Sequence, residues 1–160
     1  MKSWTKQQLK EVWKERSVYK PGEMLTDDLL FSVETSLNLS LPNLYKQLMK
    51  IQNGGELAVP IYPSEELPYV IHYLQEIELE KGVGLSDVFI EEFHLPNGLI
   101  LITGDLFSWL AFDYRTNLEE PCVVFFYEED GVWREIEVAE TFEQFIGLFI
   151  QYEESKKPFN

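Results

Sequence analysis

The chain has 160 residues, 45% of them apolar and 14% aromatic, a composition that predicts one globular domain over residues 1–160 rather than a disordered segment. Its 28 acidic residues outnumber 13 basic ones, for a net charge of −15. That excess argues against DNA, RNA or anionic membrane as a partner, because phosphate binding relies on clustered Lys and Arg, and it suits either simple solubility or steering toward a basic protein.

Met1-Lys2-Ser3-Trp4-Thr5-Lys6 leads into an amphipathic pattern, not into an apolar run with a cleavage site, and no stretch reaches membrane-spanning length. The lone Cys122 leaves no internal disulfide and fits a reducing compartment. A cytoplasmic location is the expectation.

Thr5 and Gln8 have capping-box spacing, and Trp4 can staple onto Leu9. A first helix is therefore predicted from Thr5, with Leu9, Val12, Trp13 and Arg16 on one face, ending before Pro21-Gly22. A second is predicted from Thr26. Asp27 and Asp28 would sit where the helix dipole favours negative charge, and Leu29, Leu30, Val33 and Leu37 form its apolar stripe. Pro42 opens a third helix carrying Leu44, Leu48 and Ile51, and Asn53-Gly54-Gly55 would stop it with a left-handed cap.

Leu57 to Ile61 reads as a strand, with Pro60 marking an edge or a break. Between Glu65 and Lys81, Tyr69, Val70, Tyr73, Leu74 and Ile77 favour a helix, although Tyr69-Val70-Ile71 also fits a strand. Gly82 and Gly84 break the chain, after which the pattern turns to β: Val88–Phe93, Leu99–Thr103, Ser108–Tyr114, Cys122–Tyr127 and Val132–Val138. Pro96-Asn97-Gly98 and Asp130-Gly131 are turns, and the imperfect alternation of Trp133 and Ile136 suggests a bulge. Thr141 and Gln144 cap a last helix whose Phe142, Phe145, Ile146 and Phe149 share a face, and the charged residues from Tyr152 onward would fray. The order predicts an α+β fold, with helices packed on an antiparallel or mixed sheet.

Chemistry is sparse. The only histidines are His72 and His94, and no Cys or His pair has zinc-ligand spacing, so no metal and no cofactor is expected. Cys122 lies in an apolar strand, where Cys behaves as a small hydrophobe. No nucleophile elbow or phosphate loop is present. Acidic pairs such as Glu91-Glu92 and Glu119-Glu120 read first as a solvated surface. Glu56 reads as a solvent-facing strand residue. Asp113 and Arg115 project from one side of a strand, either as an ion pair at a sheet rim or as a polar anchor for a partner.

Two blocks carry a family resemblance. Glu34, Leu41, Pro42, Tyr45, Asn53, Gly54 and Gly55 form the first; Gly104, Trp109, Ala111, Asp113, Tyr114, Arg115 and Pro121 form the second; Phe142, Phe145 and Ile146 close it. In order and spacing they resemble the SUKH superfamily, over about residues 26 to 150, with residues 65–95 departing from the pattern. The resemblance implies an α+β domain without shared catalytic residues. Bacterial members are similar to immunity proteins that bind and neutralise polymorphic toxins, often nucleases; eukaryotic members resemble regulatory adaptors. It thus implies a non-enzymatic protein-binding domain whose partner is a basic toxin domain, or alternatively a resident cytosolic protein; the sequence leaves the oligomeric state open, with a monomer favoured. Glu91, Glu92, Glu119, Glu120, Glu128, Glu129 and Asp130 are candidate contact residues, because carboxylates can imitate the phosphates that a nuclease cleft binds, and Asp113 and Arg115 join them as polar anchors.

Overall fold

The computed structural model describes residues 4–16 and 21–148. In chain order these form α1 (Lys6–Lys10), α2 (Asp27–Leu37), α3 (Asn43–Ile51), β1 (Gly55–Ile61), β2 (Ile71–Leu74), a 3-10 turn (Val83–Leu85), α4 (Ser86–Phe93), β3 (Leu99–Gly104), β4 (Ser108–Asp113), β5 (Cys122–Glu129) and β6 (Val132–Ala139). A last helix, α5, covers residues 142–148 of the described chain. Phe149 and the segment from Tyr152 lie outside the described residues.

Local chemistry accounts for the helix starts. Thr5 and Gln8 form a reciprocal capping box, and the Thr26 hydroxyl accepts from the Leu29 N–H, with Asp27 and Asp28 in the first turn. Thr141 accepts from the Gln144 N–H, but the Gln144 side chain returns to the N–H of Glu140, one residue earlier than a standard box.

The first helix is shorter than its periodicity predicts. It stops at Lys10, and the chain then runs extended along β1: Trp13 bridges Leu57, Ala58 donates to the Val12 carbonyl and Lys14 to the Glu56 carbonyl. Val12 and Trp13 are buried as predicted, but from an extended segment, and Arg16 is exposed rather than laid on the core. Satisfying the open edge of β1 outweighs continuing a helix with little intrinsic stability.

β1 and β2 form an antiparallel pair, and β3-β4-β5-β6 form an antiparallel meander. The Gln75 N–H donates to the Ile102 carbonyl and the Tyr73 hydroxyl to the Gly104 carbonyl, so β2 runs against β3. The expected helix from Tyr69 is therefore the strand β2. The apolar spacing fits both periods, and pairing with β1 decides for the strand. The reverse happens at Val88–Phe93, read as a strand but folded as α4. Phe89, Ile90 and Phe93 recur at helical spacing, and all three join one apolar cluster on the sheet. Asp130 and Gly131 both take positive φ, 54° and 77°, the type I′ hairpin. The β5–β6 bulge falls at Val138, between the pairs Val123–Ala139 and Val124–Glu137, not at Trp133–Ile136.

Strand alternation divides the core. Ile100, Ile102, Leu110, Phe112, Val123 and Phe125 face the main core with α2, α3 and α5. Leu101, Trp109, Ala111, Val124 and Phe126 face the other side, under Ile90 and Leu95. The sheet is thus covered by helices on one face and in part by α4 on the other.

Candidate protein-binding surface

Most residues of the two sequence blocks build the scaffold. The Glu34 carboxylate accepts from the Leu41 N–H at 2.7 Å and lies 3.5 Å from Lys46 Nζ, which fixes the α2–α3 corner. Leu41 is buried there, and Pro42 caps α3. Tyr45 is fully buried, edge-on to Phe112 and Phe142 at 4.9 and 5.3 Å. Asn53 does more than end a helix. Its side chain donates to the carbonyls of Glu23 (2.8 Å) and Ile77 (3.0 Å) and accepts from the Ile77 N–H (2.7 Å).

The predicted left-handed cap at this point is absent. Gln52 is extended, and positive φ falls on Gly54 at 88° and Gly55 at 147°; a Cβ on Gly54 would come 2.8 Å from the backbone nitrogen of Glu76. Gly55 begins β1. Gly104 lies flat against the Trp109 ring, and a side chain there would collide with it. Trp109 stacks under Phe89 and Phe93. Ala111 packs beside it, and Pro121 is buried at the start of β5.

Asp113 and Arg115 do form the rim ion pair. Arg115 Nη2 lies 2.9 Å from Asp113 Oδ2, its Nε 2.9 Å from Oδ1, and the backbone N–H of Arg115 also reaches Oδ1 at 2.9 Å. The same guanidinium pairs with Glu135 and stands 5.6 Å over the Phe126 ring. Burial opposes the Asp113 charge, but the Arg115 hydrogen bonds and charge outweigh it and hold the carboxyl below its ordinary value. Glu135 was not among the candidates. The signal was present: it opposes Phe126 across β5–β6, on the face that Asp113 also occupies. Glu56 is not simply solvent-facing, since Lys14 Nζ lies 3.3 Å from its carboxylate.

The remaining candidate carboxylates fall into three groups. Glu91 and Glu92 are exposed on α4, Glu91 lining an open recess of about 450 Å³ with Asp87, Ile90, His94, Leu95 and Asn97. Glu119 and Glu120 are exposed on the β4–β5 loop, where their backbone N–H groups donate to Asn117 Oδ1. Glu128, Glu129 and Asp130 occupy the β5–β6 hairpin, at the opposite end of the sheet. Among the described residues none of these seven side chains forms an ion pair.

Cys122 is half-buried beside Asp113 and Glu137, and burial first, then those carboxylates, push its thiol up to about 11. A thiol held protonated is a poor nucleophile. Among the described residues no group of His, Cys, Asp and Glu side chains is arranged to hold a metal ion, and no helix is long and apolar enough to cross a membrane.

An α+β scaffold with a buried Asn-Gly-Gly corner and an Asp-Tyr-Arg strand end defines the class. Residues 27–146 match the SUKH family model described as SMI1-KNR4 cell-wall, and the chain belongs to that family. The matched span includes residues 65–95, the part that departs from the motif pattern of the two blocks. No curated protein sequence matches the chain.

Proposed function

We propose that this domain is a non-catalytic binding module of the immunity type, which neutralises a basic toxin domain by stoichiometric occlusion in the cytoplasm. The observation that carries the reading is the set of carboxylates on α4, the β4–β5 loop and the β5–β6 hairpin that form no ion pair among the described residues. A protein gains little stability from such groups, whereas a basic partner gains on-rate and register from them. Occlusion needs no chemistry.

Affinity capture from the native cell, at low and at moderate salt, tests it. A basic, toxin-like domain held one-to-one, weakened by salt and by charge reversal at Glu128 and Glu129, is the expected result. Unchanged affinity after that reversal counts against the carboxylate mechanism. The cell-wall description of the matched family favours one second reading, an adaptor for a resident regulatory protein, and capture of such a protein would select it.

A further inference from the structure

One end of the four-stranded sheet holds apolar side chains out in water. Leu106 and Phe107, in the turn between β3 and β4, are 60% and 59% exposed. The turn is pinned. Asp105 Oδ1 accepts from the N–H of Phe107 (2.8 Å), the N–H of Ser108 (3.0 Å) and the Ser108 hydroxyl (3.2 Å), while the Asp105 N–H donates to the Ser108 carbonyl. The Glu128 N–H donates to the Phe107 carbonyl at 3.0 Å, which carries the β4–β5 ladder beyond the Ser108–Tyr127 pair. This bond sets the turn beside the β5–β6 hairpin and puts Phe107 opposite Glu128; the exposed Val132, paired with Glu129, belongs to the other face of the ladder. Two strand spacings separate Phe107 from the β6 row, roughly 10 Å.

These bonds fix the backbone of the turn, and that backbone carries Leu106 and Phe107 into solvent. Clustered exposed apolar side chains mark interaction sites, and a pre-ordered turn lowers the entropy cost of docking. Charge selects the occupant. Glu128 lies beside Phe107, Glu129 and Asp130 follow it into the adjoining turn, and Arg134 is the sole basic residue on that hairpin. A neutral or acidic surface closing over the patch would strip water from these carboxylates without pairing them. A second copy of a chain with net charge −15 is disfavoured for the same reason.

We propose that the Leu106–Phe107 turn and the β5–β6 hairpin form the docking surface for a protein whose apolar patch is ringed by Lys and Arg. The proposal rests on the binding reading above and gives it a place and a contact chemistry.

Titrating the isotope-labelled full chain with an amphipathic peptide of Lys and Leu, followed by NMR, is the first test, with oligolysine of equal charge as the control. The Lys/Leu peptide should shift the signals of Leu106, Phe107 and Glu128. The double change Leu106→Ser with Phe107→Ser should weaken it about tenfold or more, a loss of about 1.4 kcal/mol. Phe31→Ser, at an exposed position on α2, should change nothing, and an unaltered unfolding midpoint verifies that each variant folds. Shifts centred elsewhere, no shifts, or equal binding by the double variant overturn the proposal.

Capture with wild type and double variant side by side separates the two levels. A basic protein kept by wild type and lost by the variant supports the surface. The same protein kept by both overturns the surface and leaves the binding reading standing. Retention of only neutral or acidic proteins by wild type overturns the charge reading, and with it the partner chemistry proposed here.

Discussion

Tyr114 donates its phenolic hydrogen to the carbonyl of Ser40 at 2.6 Å, joining residues 74 positions apart. Tyr114 is buried at the end of β4, and Ser40 lies in the α2–α3 corner that Glu34 also braces. The bond therefore ties the sheet to the helical layer. Burial first, and the charge of Glu34 second, raise the phenol above its ordinary value of 10.0 and keep it a donor. A raised folded value means that the stabilisation is complete below pH 10 and declines as pH rises beyond it. Tyr114→Phe should cost about 1 kcal/mol near neutrality. Its stability should also fall less steeply than that of wild type at alkaline pH. Urea unfolding of both proteins across the alkaline range checks this; parallel curves would show that Tyr114 is not the group being titrated.

Asn53 satisfies three backbone groups from two other segments with one amide, the two on Ile77 buried and the Glu23 carbonyl part-buried. Ala would strand them, and Asp could accept from Ile77 but could not donate to the two carbonyls. Both changes should destabilise by about 3 kcal/mol, near the upper end for a buried polar network. The measurement is the denaturant midpoint at constant m-value. A loss below about 1 kcal/mol in both variants would mean that water replaces the amide.

The Asp113–Arg115–Glu135 rim should show acid dependence. The Asp113 carboxyl is held below its ordinary 3.8, so its contribution is present above that pH and lost as pH falls through the lower folded value. Asp113→Asn should cost about 2 kcal/mol at neutral pH, the scale of a hydrogen bond to a charged group. The gap to wild type should narrow below pH 3.8. A gap of equal size at both pH values would assign the loss to packing instead.

Legibility in the sequence tracks how local the deciding interaction is. Thr26 with Asp27 and Asp28, and Asp130-Gly131, each specify their turn or cap within four residues, and each folds as read. Val12 and Trp13 carry a helical period yet lie along β1, because the deciding hydrogen bonds come from Glu56 and Ala58. β2 and α4 were exchanged in type for the same reason: one is chosen by pairing with β1, the other by an apolar cluster on the sheet face. The motif residues were visible, but their work was not. Asn53 looks like a helix stop until Glu23 and Ile77 are seen around it. Leu106 and Phe107 passed unremarked, since solvent exposure in a turn has no signature in hydrophobic periodicity.

Ser86 decides where α4 sits. It is fully buried at the helix start, its hydroxyl donates to the Val83 carbonyl at 2.7 Å, and its oxygen accepts from the Leu101 N–H at 2.9 Å. One small side chain thus links the 3-10 turn, α4 and β3. At the other end of α4, Trp133 Nε1 donates to the Phe93 carbonyl at 2.7 Å, so the helix is pinned to the sheet at both ends. Ser86→Ala leaves the Leu101 N–H unpaired in a buried position and should cost about 1–3 kcal/mol. Because the rest of α4 is held by packing of Ile90, Phe89 and Phe93, the loss should appear as faster amide exchange in Leu101 and the first turn of α4, with β5 and β6 unchanged. Ser86→Thr keeps the hydroxyl but adds a methyl at a fully buried position, so it should not rescue fully. Exchange that accelerates uniformly through β5 and β6 would mean that α4 and the meander open as one unit, and that the Ser86 link is not local.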